Sequence, residues 1–262
     1  MYLSISNIAW DASNDEYVYG LMKKYGYLGL EIAPTRVFPN NPYDHLKEAK
    51  EWVERINNEE GLTIPSMQSI WFGRKEKIFG TEEERQFLIG YTKKAIDFAE
   101  DIGCNNLVFG CPQNRNITED SDLLIALPFF KELGDYAVEH NTVIGLEANP
   151  RIYNTNYINS TKEAIELLEQ VDSSGFKMNL DVGTMIQNDE HVESLVGYVH
   201  LINHVHISEP ELKMVKKRNL HRELMELLLD EGYSGFVSIE MGKRDNLKEI
   251  EEVLKYVNDV FS

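Results

Sequence analysis

Two patterns of apolar and polar positions alternate along the chain. Apolar runs of about four to eight residues, the pattern of buried strands, are each followed by a longer segment in which apolar positions recur every three or four residues, the pattern of amphipathic helices. The predicted strands are Leu3–Ile8, Leu28–Ala33, Thr63–Ser69, Asn106–Gly110, Val143–Glu147, Lys177–Asp181, His200–Ile207 and Phe236–Glu240. The predicted helices are Glu16–Tyr25, Tyr43–Asn58, Glu82–Ile102, Leu123–His140, Lys162–Val171, His191–Leu195, Leu220–Glu231 and Leu247–Val260.

Strict alternation of strand and helix predicts a parallel sheet covered by helices. Three predicted helix starts have the spacing of a capping box, Thr81–Glu84, Ser160–Glu163 and Asn246–Glu249. The GxGxxG turn that many dinucleotide-binding sheets carry after their first strand is missing. Eight strand-helix units in 262 residues fit a closed (β/α)8 barrel, the TIM barrel, better than an open sheet. We therefore predict an α/β fold with one domain over residues 1–262.

The charge balance narrows the range of partners. The chain has 44 Asp and Glu residues against 26 Lys and Arg, which gives a formal net charge of −18. A polyanion would meet a repulsive field, and the segment 213–218 offers the one short cluster of basic residues. We expect a small-molecule substrate and no nucleic-acid or membrane partner. The sequence is compatible with a homo-oligomer.

The apolar segments and the cysteines indicate the compartment. No basic segment followed by an apolar run resembles a secretory signal, and no stretch approaches the ~18 apolar residues of a membrane span. If the segment between the two cysteines, Cys104 and Cys111, is extended, it separates them by about 23 Å, too far for a disulfide. We therefore expect reduced thiols and a cytoplasmic protein.

Four consecutive predicted strands end on side chains that can bind a metal ion. These are Glu147 after VIGL, Asp181 after FKMNL, His206 in HVH and Glu240 after FVSI. The carboxyl ends of barrel strands meet at one rim, where the active sites of TIM barrels lie. Ionisable groups that converge in a barrel mouth repel one another or are desolvated at high cost unless a cation compensates them. The pattern therefore predicts a metal centre.

The ligand types indicate which ion this centre prefers. Three carboxylates and one imidazole suit a hard or borderline divalent cation, and the lack of cysteine pairs argues against a closed structural zinc site. One Mn²⁺ ion is favoured, with Mg²⁺, Co²⁺ and Zn²⁺ as alternatives. Each carboxylate taken singly could instead be a helix cap or a salt-bridge partner. His204 shares a strand face with His206 and could be a structural histidine.

Further polar and aromatic residues follow the predicted strands at the same rim. Those predicted to contact a substrate are Gln68, Trp71, Asn149, His204 and Glu209. Phe72 and Tyr153 could join Trp71 in covering the apolar face of a sugar, although loop aromatics also merely cover barrels. Weaker candidates for contacts to hydroxyl or phosphate groups are Gln113, Asn114, Arg115, Arg151, Lys243 and Arg244.

The segments GLEANP, NLDVG, HVHISEP and SGFVSIEM, in this order, resemble the xylose isomerase-like superfamily of TIM barrels, the sugar phosphate isomerases and epimerases. The resemblance runs through nearly the whole chain. The superfamily includes ketose 3-epimerases, hydroxypyruvate isomerases, inosose dehydratases and the endonuclease IV branch. The epimerase branch implies that Glu147, Asp181, His206 and Glu240 hold the metal and that Glu147 and Glu240 also transfer protons. Glu209 matches a further family glutamate.

Two positions depart from the epimerase pattern. Thr184 stands where epimerases usually place a substrate-contacting histidine, three residues after the strand-six aspartate. The arginine that commonly follows the strand-seven motif is matched loosely by Lys213, Lys216 or Arg218. Ketose 3-epimerisation in particular is therefore not implied. The absence of further histidine ligands also argues against the trinuclear zinc site of endonuclease IV, so one metal ion is expected.

The resemblance implies a metal-dependent isomerase or epimerase of a sugar or sugar phosphate. In such reactions a base removes a proton next to a carbonyl, an enediolate forms, and an acid returns the proton to the other face or to the adjacent carbon. The sequence does not distinguish which glutamate is the base. Three alternatives stay open, namely an inosose dehydratase-like lyase on the same metal site, a non-catalytic carbohydrate-binding barrel and a metal-dependent hydrolase.

Overall fold

The strands of the computed structural model, which describes residues 1–118 and 123–262, run parallel in one sheet. They are β1 Tyr2–Ser6, β2 Gly29–Glu31, β3 Leu107–Phe109, β4 Ile144–Leu146, β5 Phe176–Asp181, β6 Ile202–Ile207 and β7 Phe236–Ile239. Along the sheet they follow the order β2-β1-β7-β6-β5-β4-β3. Nearly all of their residues are buried, because helices cover the outer face and side chains fill the inside.

The seam between β2 and β3 is closed by residues 63–67. Single parallel bridges link this segment to both neighbouring strands, at Gly29–Thr63, Ile32–Met67 and Met67–Leu107. The sequence predicts a regular strand here, Thr63–Ser69, but Pro65 lacks the N–H group that a continuous ladder requires. The eighth strand position is therefore filled by extended backbone with isolated pairing. The predicted (β/α)8 barrel is confirmed.

Helices follow the strands around the outside of the barrel. In the described part of the chain they are α1 Asp15–Lys24, α2 Pro34–Val37, α3 Leu46–Glu60, α4 Glu82–Asp101, α5 Leu123–Glu139, α6 Thr161–Val171, α7 Val182–Asn188, α8 Asn219–Asp230 and α9 Leu247–Phe261. No helix in this part of the chain is long and apolar enough to cross a membrane.

The connection between β5 and β6 differs from the prediction. The helix predicted at His191–Leu195 is a 3-10 turn over Val192–Leu195, and the helix that follows β5 is α7. With seven residues, α7 is too short to show a helical period in the sequence. It starts directly after β5 because the Asp181 carboxylate accepts a hydrogen bond from the Thr184 backbone N–H at 2.8 Å. A candidate metal ligand is thus also a helix cap.

The three predicted capping boxes are realised to different degrees. At Thr81–Glu84 both reciprocal hydrogen bonds are present. At the start of α6 the Ser160 hydroxyl accepts from the Glu163 backbone N–H, whereas Glu163 itself binds the backbone of Asn159. At the start of α9 the cap is made by Asn246 alone. Side-chain capping therefore begins each of these helices where the sequence predicts it.

The two cysteines are free thiols, as the sequence predicts. Burial raises the pKa of both Cys104 and Cys111 to about 12. Because the thiolate is the reactive form, neither side chain has the environment of a nucleophile at neutral pH.

Candidate metal centre

Four strands of the barrel deliver their last side chains to one point at the rim. Glu147 follows β4 directly, Asp181 is the last residue of β5, and Glu240 follows β7, while His206 lies one residue before the end of β6. Parallel pairing aligns these positions, since Asp181 lies opposite His206 and His206 lies opposite Ser238. One ligand atom from each of the four candidate ligands lies within 4.8 Å of the others. The structure therefore brings together the four residues predicted from the strand ends.

His206 presents its two ring nitrogens to different carboxylates. Nε2 lies 2.9 Å from Glu31 Oε2, within hydrogen-bonding distance. Nδ1 lies 3.0 Å from Glu147 Oε2 and 3.3 Å from Glu240 Oε2, yet it is buried and poorly aligned for a hydrogen bond with either. If the Nε2–H donates a hydrogen bond to Glu31, the neutral imidazole presents an Nδ1 lone pair to the other three candidate ligands. This is the usual arrangement of a metal-binding histidine, whose second nitrogen is bound to a carboxylate.

Glu31, the last residue of β2, anchors this histidine from inside the barrel. Its side chain is inaccessible to solvent, its Oε2 also lies 3.0 Å from His204 Nε2, and its Oε1 accepts from Gln68 Nε2 at 3.2 Å. Burial disfavours the charge on Glu31, but the two histidines outweigh it and hold the pKa well below its ordinary value. The sequence pattern alone assigns no role to Glu31, although it ends its strand as the ligands end theirs.

Amide donors hold both oxygens of the Glu147 carboxylate. Asn149 Nδ2 donates to Oε1 at 3.0 Å, and Asn179 Nδ2 donates to Oε2 at 2.8 Å. A β-carbon placed on Gly110 would lie 3.0 Å from Oε1, so the neighbouring strand end leaves little free space around this group. These two hydrogen bonds fix the orientation of the carboxylate.

Arg115 supports Glu147 from behind. Its guanidinium is fully buried, and the acceptors it has in the described part of the chain are neutral: the Glu147 carbonyl at 2.9 Å, Asn149 Oδ1 at 3.0 Å and the Ile158 carbonyl at 3.2 Å. Because Asn149 accepts through Oδ1, its Nδ2 is directed to Glu147. Burial lowers the pKa of Arg115 to about 10, so the group is still charged at neutral pH. Arg115, a weaker sequence-based candidate for substrate contact, is thus a buried residue that supports Glu147.

Hydroxyl and amide donors hold the Asp181 carboxylate. The Ser208 hydroxyl donates to Oδ1, and the Thr184 backbone N–H donates to Oδ2. The Thr184 hydroxyl lies 2.8 Å from the same Oδ2. The residue that replaces the expected histidine therefore packs beside Asp181. Burial, together with the charge of Glu147, raises the pKa of Asp181.

Glu240 has the least support of the three carboxylates. In residues 1–118 and 123–262, the one potential donor beside its side chain is His206 Nδ1 at 3.3 Å. Burial raises the pKa of Glu240 to about 7; the charges of Glu147 and Asp181 add to this shift, and His206 opposes it. A carboxyl group with this proton affinity can gain and lose a proton near neutral pH.

The chemistry of these four residues fits a divalent cation. Burial disfavours a charged His206, but Glu31 and Glu240 outweigh it and raise the pKa of the imidazole well above its ordinary value. The space in front of Nδ1 thus attracts positive charge. A divalent ion there would take up the unpartnered nitrogen and reduce the repulsion between the buried carboxylates.

The comparison with protein-family models decides the family. Residues 20–260 match the model described as xylose isomerase-like TIM barrel. This chain belongs to that family. The resemblance to the xylose isomerase-like superfamily that the sequence indicates is therefore confirmed, since the match spans nearly the whole chain. A search of curated protein sequences found no match.

Solved structures share the fold of this xylose isomerase-like barrel at low sequence identity. A D-psicose 3-epimerase from Clostridium cellulolyticum, solved with D-tagatose, aligns with a TM-score of 0.80 and 18% identity over 100% of both chains. A 3-keto-D-glucoside 4-epimerase from E. coli aligns with a TM-score of 0.77 and 20% identity over 99% of both chains. A sugar phosphate isomerase/epimerase from Parabacteroides distasonis aligns with a TM-score of 0.74 and 17% identity, over 98% of this chain and 92% of its own. These alignments establish a common fold.

A pocket of about 200 Å³ opens over the candidate ligands of this xylose isomerase-like barrel. Three of the residues predicted to contact a substrate, Gln68, Asn149 and Glu209, line it together with Tyr153 and Leu212. Glu209 is already engaged, because Arg218 binds both of its oxygens, at 2.7 Å and 2.5 Å. The loosely matched arginine of the sequence therefore pairs with the family glutamate at the pocket wall.

The other two residues predicted to contact a substrate lie outside this pocket. The Trp71 indole N–H donates to Thr92 Oγ1 at 2.9 Å, and its ring packs edge-on against Phe109. His204 is buried beside Glu31, behind His206. A role for either in binding substrate stays a prediction, since the contacts in the structure are those of packing and support.

Proposed function

We propose that this protein is a metal-dependent sugar isomerase or epimerase that removes a proton next to a carbonyl group. The observation that carries the proposal is the convergence of Glu147, Asp181, His206 and Glu240 on one point beneath a rim pocket. Membership of the xylose isomerase-like family supports it, as does a fold shared with solved sugar epimerases. The proposed substrate is a small carbohydrate or sugar phosphate.

We propose that the same four residues hold one divalent ion. When bound, the ion would act as a Lewis acid that polarises the substrate carbonyl and the neighbouring hydroxyl. Mn²⁺ is the proposed ion, because carboxylate-rich ligation with one imidazole suits it better than the softer metals. His206 would bind through Nδ1, the ring nitrogen that has no hydrogen-bond partner in the described residues.

The protein side of the mechanism assigns both glutamates to proton transfer. Glu240 is the proposed base that takes the proton, since its pKa of about 7 and its lack of amide donors leave it free to change protonation state. Glu147 is proposed to face the enediolate and return a proton in epimerisation, while its amide donors keep it oriented. An isomerisation would need Glu240 alone to move the proton between adjacent carbons.

The test is a screen of aldoses and ketoses, free and phosphorylated, in D₂O with Mn²⁺, followed by proton NMR. We expect deuterium to enter one substrate carbon, with metal-stripped protein and the Glu147→Gln/Glu240→Gln double variant as controls. Exchange at the wild-type rate in the double variant would overturn the mechanism. Loss of one water from the substrate would identify a dehydratase, and absence of any Mn²⁺ binding would favour a non-catalytic barrel.

A further inference from the structure

A second cavity adjoins the pocket above the candidate ligands. It has a volume of about 290 Å³ and shares Ser69, Cys111 and Pro112 with that pocket. The rest of its wall comes from the loop that follows the segment closing the barrel and from the turn after β3, including Phe72, Arg74 and Gln113. A ligand that occupies the central pocket therefore has a second compartment beside it.

Arg74 is the cation in the wall of this second cavity. Its guanidinium carbon lies 5.1 Å from the centroid of the Tyr91 ring and 5.9 Å from that of Phe87. Its Nε is buried without a hydrogen-bond partner. In residues 1–118 and 123–262 the guanidinium makes no ion pair, so ring stacking alone positions it.

Several arginines of this protein bind a carboxylate, whereas Arg74 binds none among the described residues. With 44 acidic residues in the chain, carboxylates are abundant, and Arg36, Arg85 and Arg218 each bind one. A guanidinium that has no acceptor within the described chain keeps its accessible N–H donors available for a ligand in the cavity it lines. The planar fork of a guanidinium matches the oxygens of phosphate and carboxylate groups. Arg74 therefore has the features of a preformed anion contact whose acceptor comes from outside the chain.

An aromatic side chain stands beside this arginine. Phe72 lines the same cavity and is 68% exposed, although a phenylalanine ring is normally buried. An exposed ring at a cavity wall can pack against the apolar face of a sugar or its carbon chain. The cavity thus offers one charged contact and one apolar contact.

We propose that this second cavity binds an anionic group of the substrate through Arg74, while the carbonyl end of the same molecule lies over the four candidate ligands. The anion is a phosphate or a carboxylate, because either matches the guanidinium fork. The proposal rests on the proposed function for the carbonyl end, and it narrows the substrate class to sugar phosphates and sugar acids.

The anion contact is tested first without any sugar or metal. Inorganic phosphate is titrated into EDTA-treated protein and followed by ³¹P NMR, with wild type, Arg74→Met, Arg74→Lys and the exposed-lysine control Lys248→Met. We expect Arg74→Met to weaken phosphate binding by about tenfold or more, the effect of losing hydrogen bonds to a charged group. Arg74→Lys should weaken it less, and Lys248→Met should not change it. Equal binding by wild type and Arg74→Met, or no binding to wild type, overturns the proposal.

The second test distinguishes a phosphate from a carboxylate as the bound group. It also distinguishes the proposed anion site from the proposed metal-dependent function. Exchange in D₂O is compared for matched ketoses that are neutral, phosphorylated or carboxylated. We expect Arg74→Met to raise KM for the preferred charged ketose by about tenfold and to leave that for the neutral one unchanged. An equal effect on both would overturn the anion site while leaving the metal mechanism intact. Arg74-dependent phosphate binding without Mn²⁺ binding would instead overturn the proposed function alone.

Discussion

Glu147 and Glu240 approach the same nitrogen of His206, at 3.0 Å and 3.3 Å, but the protein holds them in different ways. On the β4 side, two amides donate to the Glu147 carboxylate and a buried arginine fixes one of those amides. On the β7 side, the described residues provide Glu240 with His206 alone as a potential donor. Hydrogen bonds fix the orientation of one carboxylate, whereas burial leaves the other with a raised pKa.

This difference shows how one site can combine metal binding with proton transfer. Donors that stabilise a carboxylate lower its tendency to take up a proton, whereas burial without donors raises it. A site with two fully supported glutamates would bind a cation well but lack a base near neutral pH. A site with two unsupported glutamates would hold the cation poorly. The predictions below test whether the two sides have these separate functions.

The largest expected effect is on proton exchange in the single variants. Glu240→Gln should lower deuterium incorporation by about 10²–10⁴-fold, the usual contribution of a general base, while Mn²⁺ affinity changes less than about tenfold. Glu147→Gln should lower both exchange and Mn²⁺ affinity, because Glu147 is the proposed proton donor and an oriented candidate ligand. Exchange and calorimetric Mn²⁺ titration measure the two quantities. If Glu240→Gln weakens Mn²⁺ binding as much as Glu147→Gln does, the two sides do not differ in function.

A pH dependence of stability should follow from Glu240 in metal-free protein. Its pKa is raised from an ordinary value of 4.5 to about 7, so between these values the folded state binds more protons than the unfolded state. Stability contributed by the protonated carboxyl is therefore present below about pH 4.5 and is lost as the pH rises through about 7, by up to about 3 kcal/mol. Urea unfolding in EDTA across this range measures the loss.

Matched variants test whether Glu240 causes this pH dependence of stability. Glu240→Gln should flatten it, whereas Glu166→Gln, which alters an exposed residue of α6, should keep it. Mn²⁺ should stabilise wild type more at the upper end of the range, because protons and the ion compete for the same carboxylate. A slope that is unchanged in Glu240→Gln would contradict the assignment of the raised pKa.

Glu31 tests a contribution that the β4 and β7 sides share, because it binds His206 and neither Glu147 nor Glu240. Glu31→Gln should weaken Mn²⁺ binding by about 10–100-fold, the usual effect of removing the carboxylate behind a histidine ligand. The ratio of exchange rates between the Glu147 and Glu240 variants should not change. Glu76→Gln, at a half-buried site in the loop after the barrel seam, is the matched control and should bind Mn²⁺ as wild type does. Wild-type affinity in Glu31→Gln would show that His206 does not depend on this anchor.

The sequence predicts the four candidate ligands of this centre but not the groups that hold them differently. Each candidate ligand lies at or near the end of a strand, and the hydrophobic pattern locates strand ends. The parallel arrangement of a barrel then brings these ends together at one rim. The contact between His206 and Glu31 spans 175 positions, and the one between Asn179 and Glu147 spans 32. Such contacts depend on strand order, register and amide orientation, which local patterns do not encode. Two local predictions differ from the structure for different reasons: Pro65 interrupts the regular strand predicted at Thr63–Ser69, and α7 is too short to show a helical period.

The smallest expected effect is on the amide that orients Glu147. Asn149→Ala removes the donor to Oε1 and leaves Arg115 with one acceptor fewer, so Mn²⁺ affinity should fall by several-fold, in line with about 1 kcal/mol for one hydrogen bond. Asn159→Ala is the control, because Asn159 binds the backbone of the same loop at Asn149 and Thr155 without touching the carboxylate. Both variants should lose about 1 kcal/mol of unfolding free energy, but the control should keep its Mn²⁺ affinity within about twofold. If Mn²⁺ binding falls equally in both, the loop rather than the amide positions Glu147.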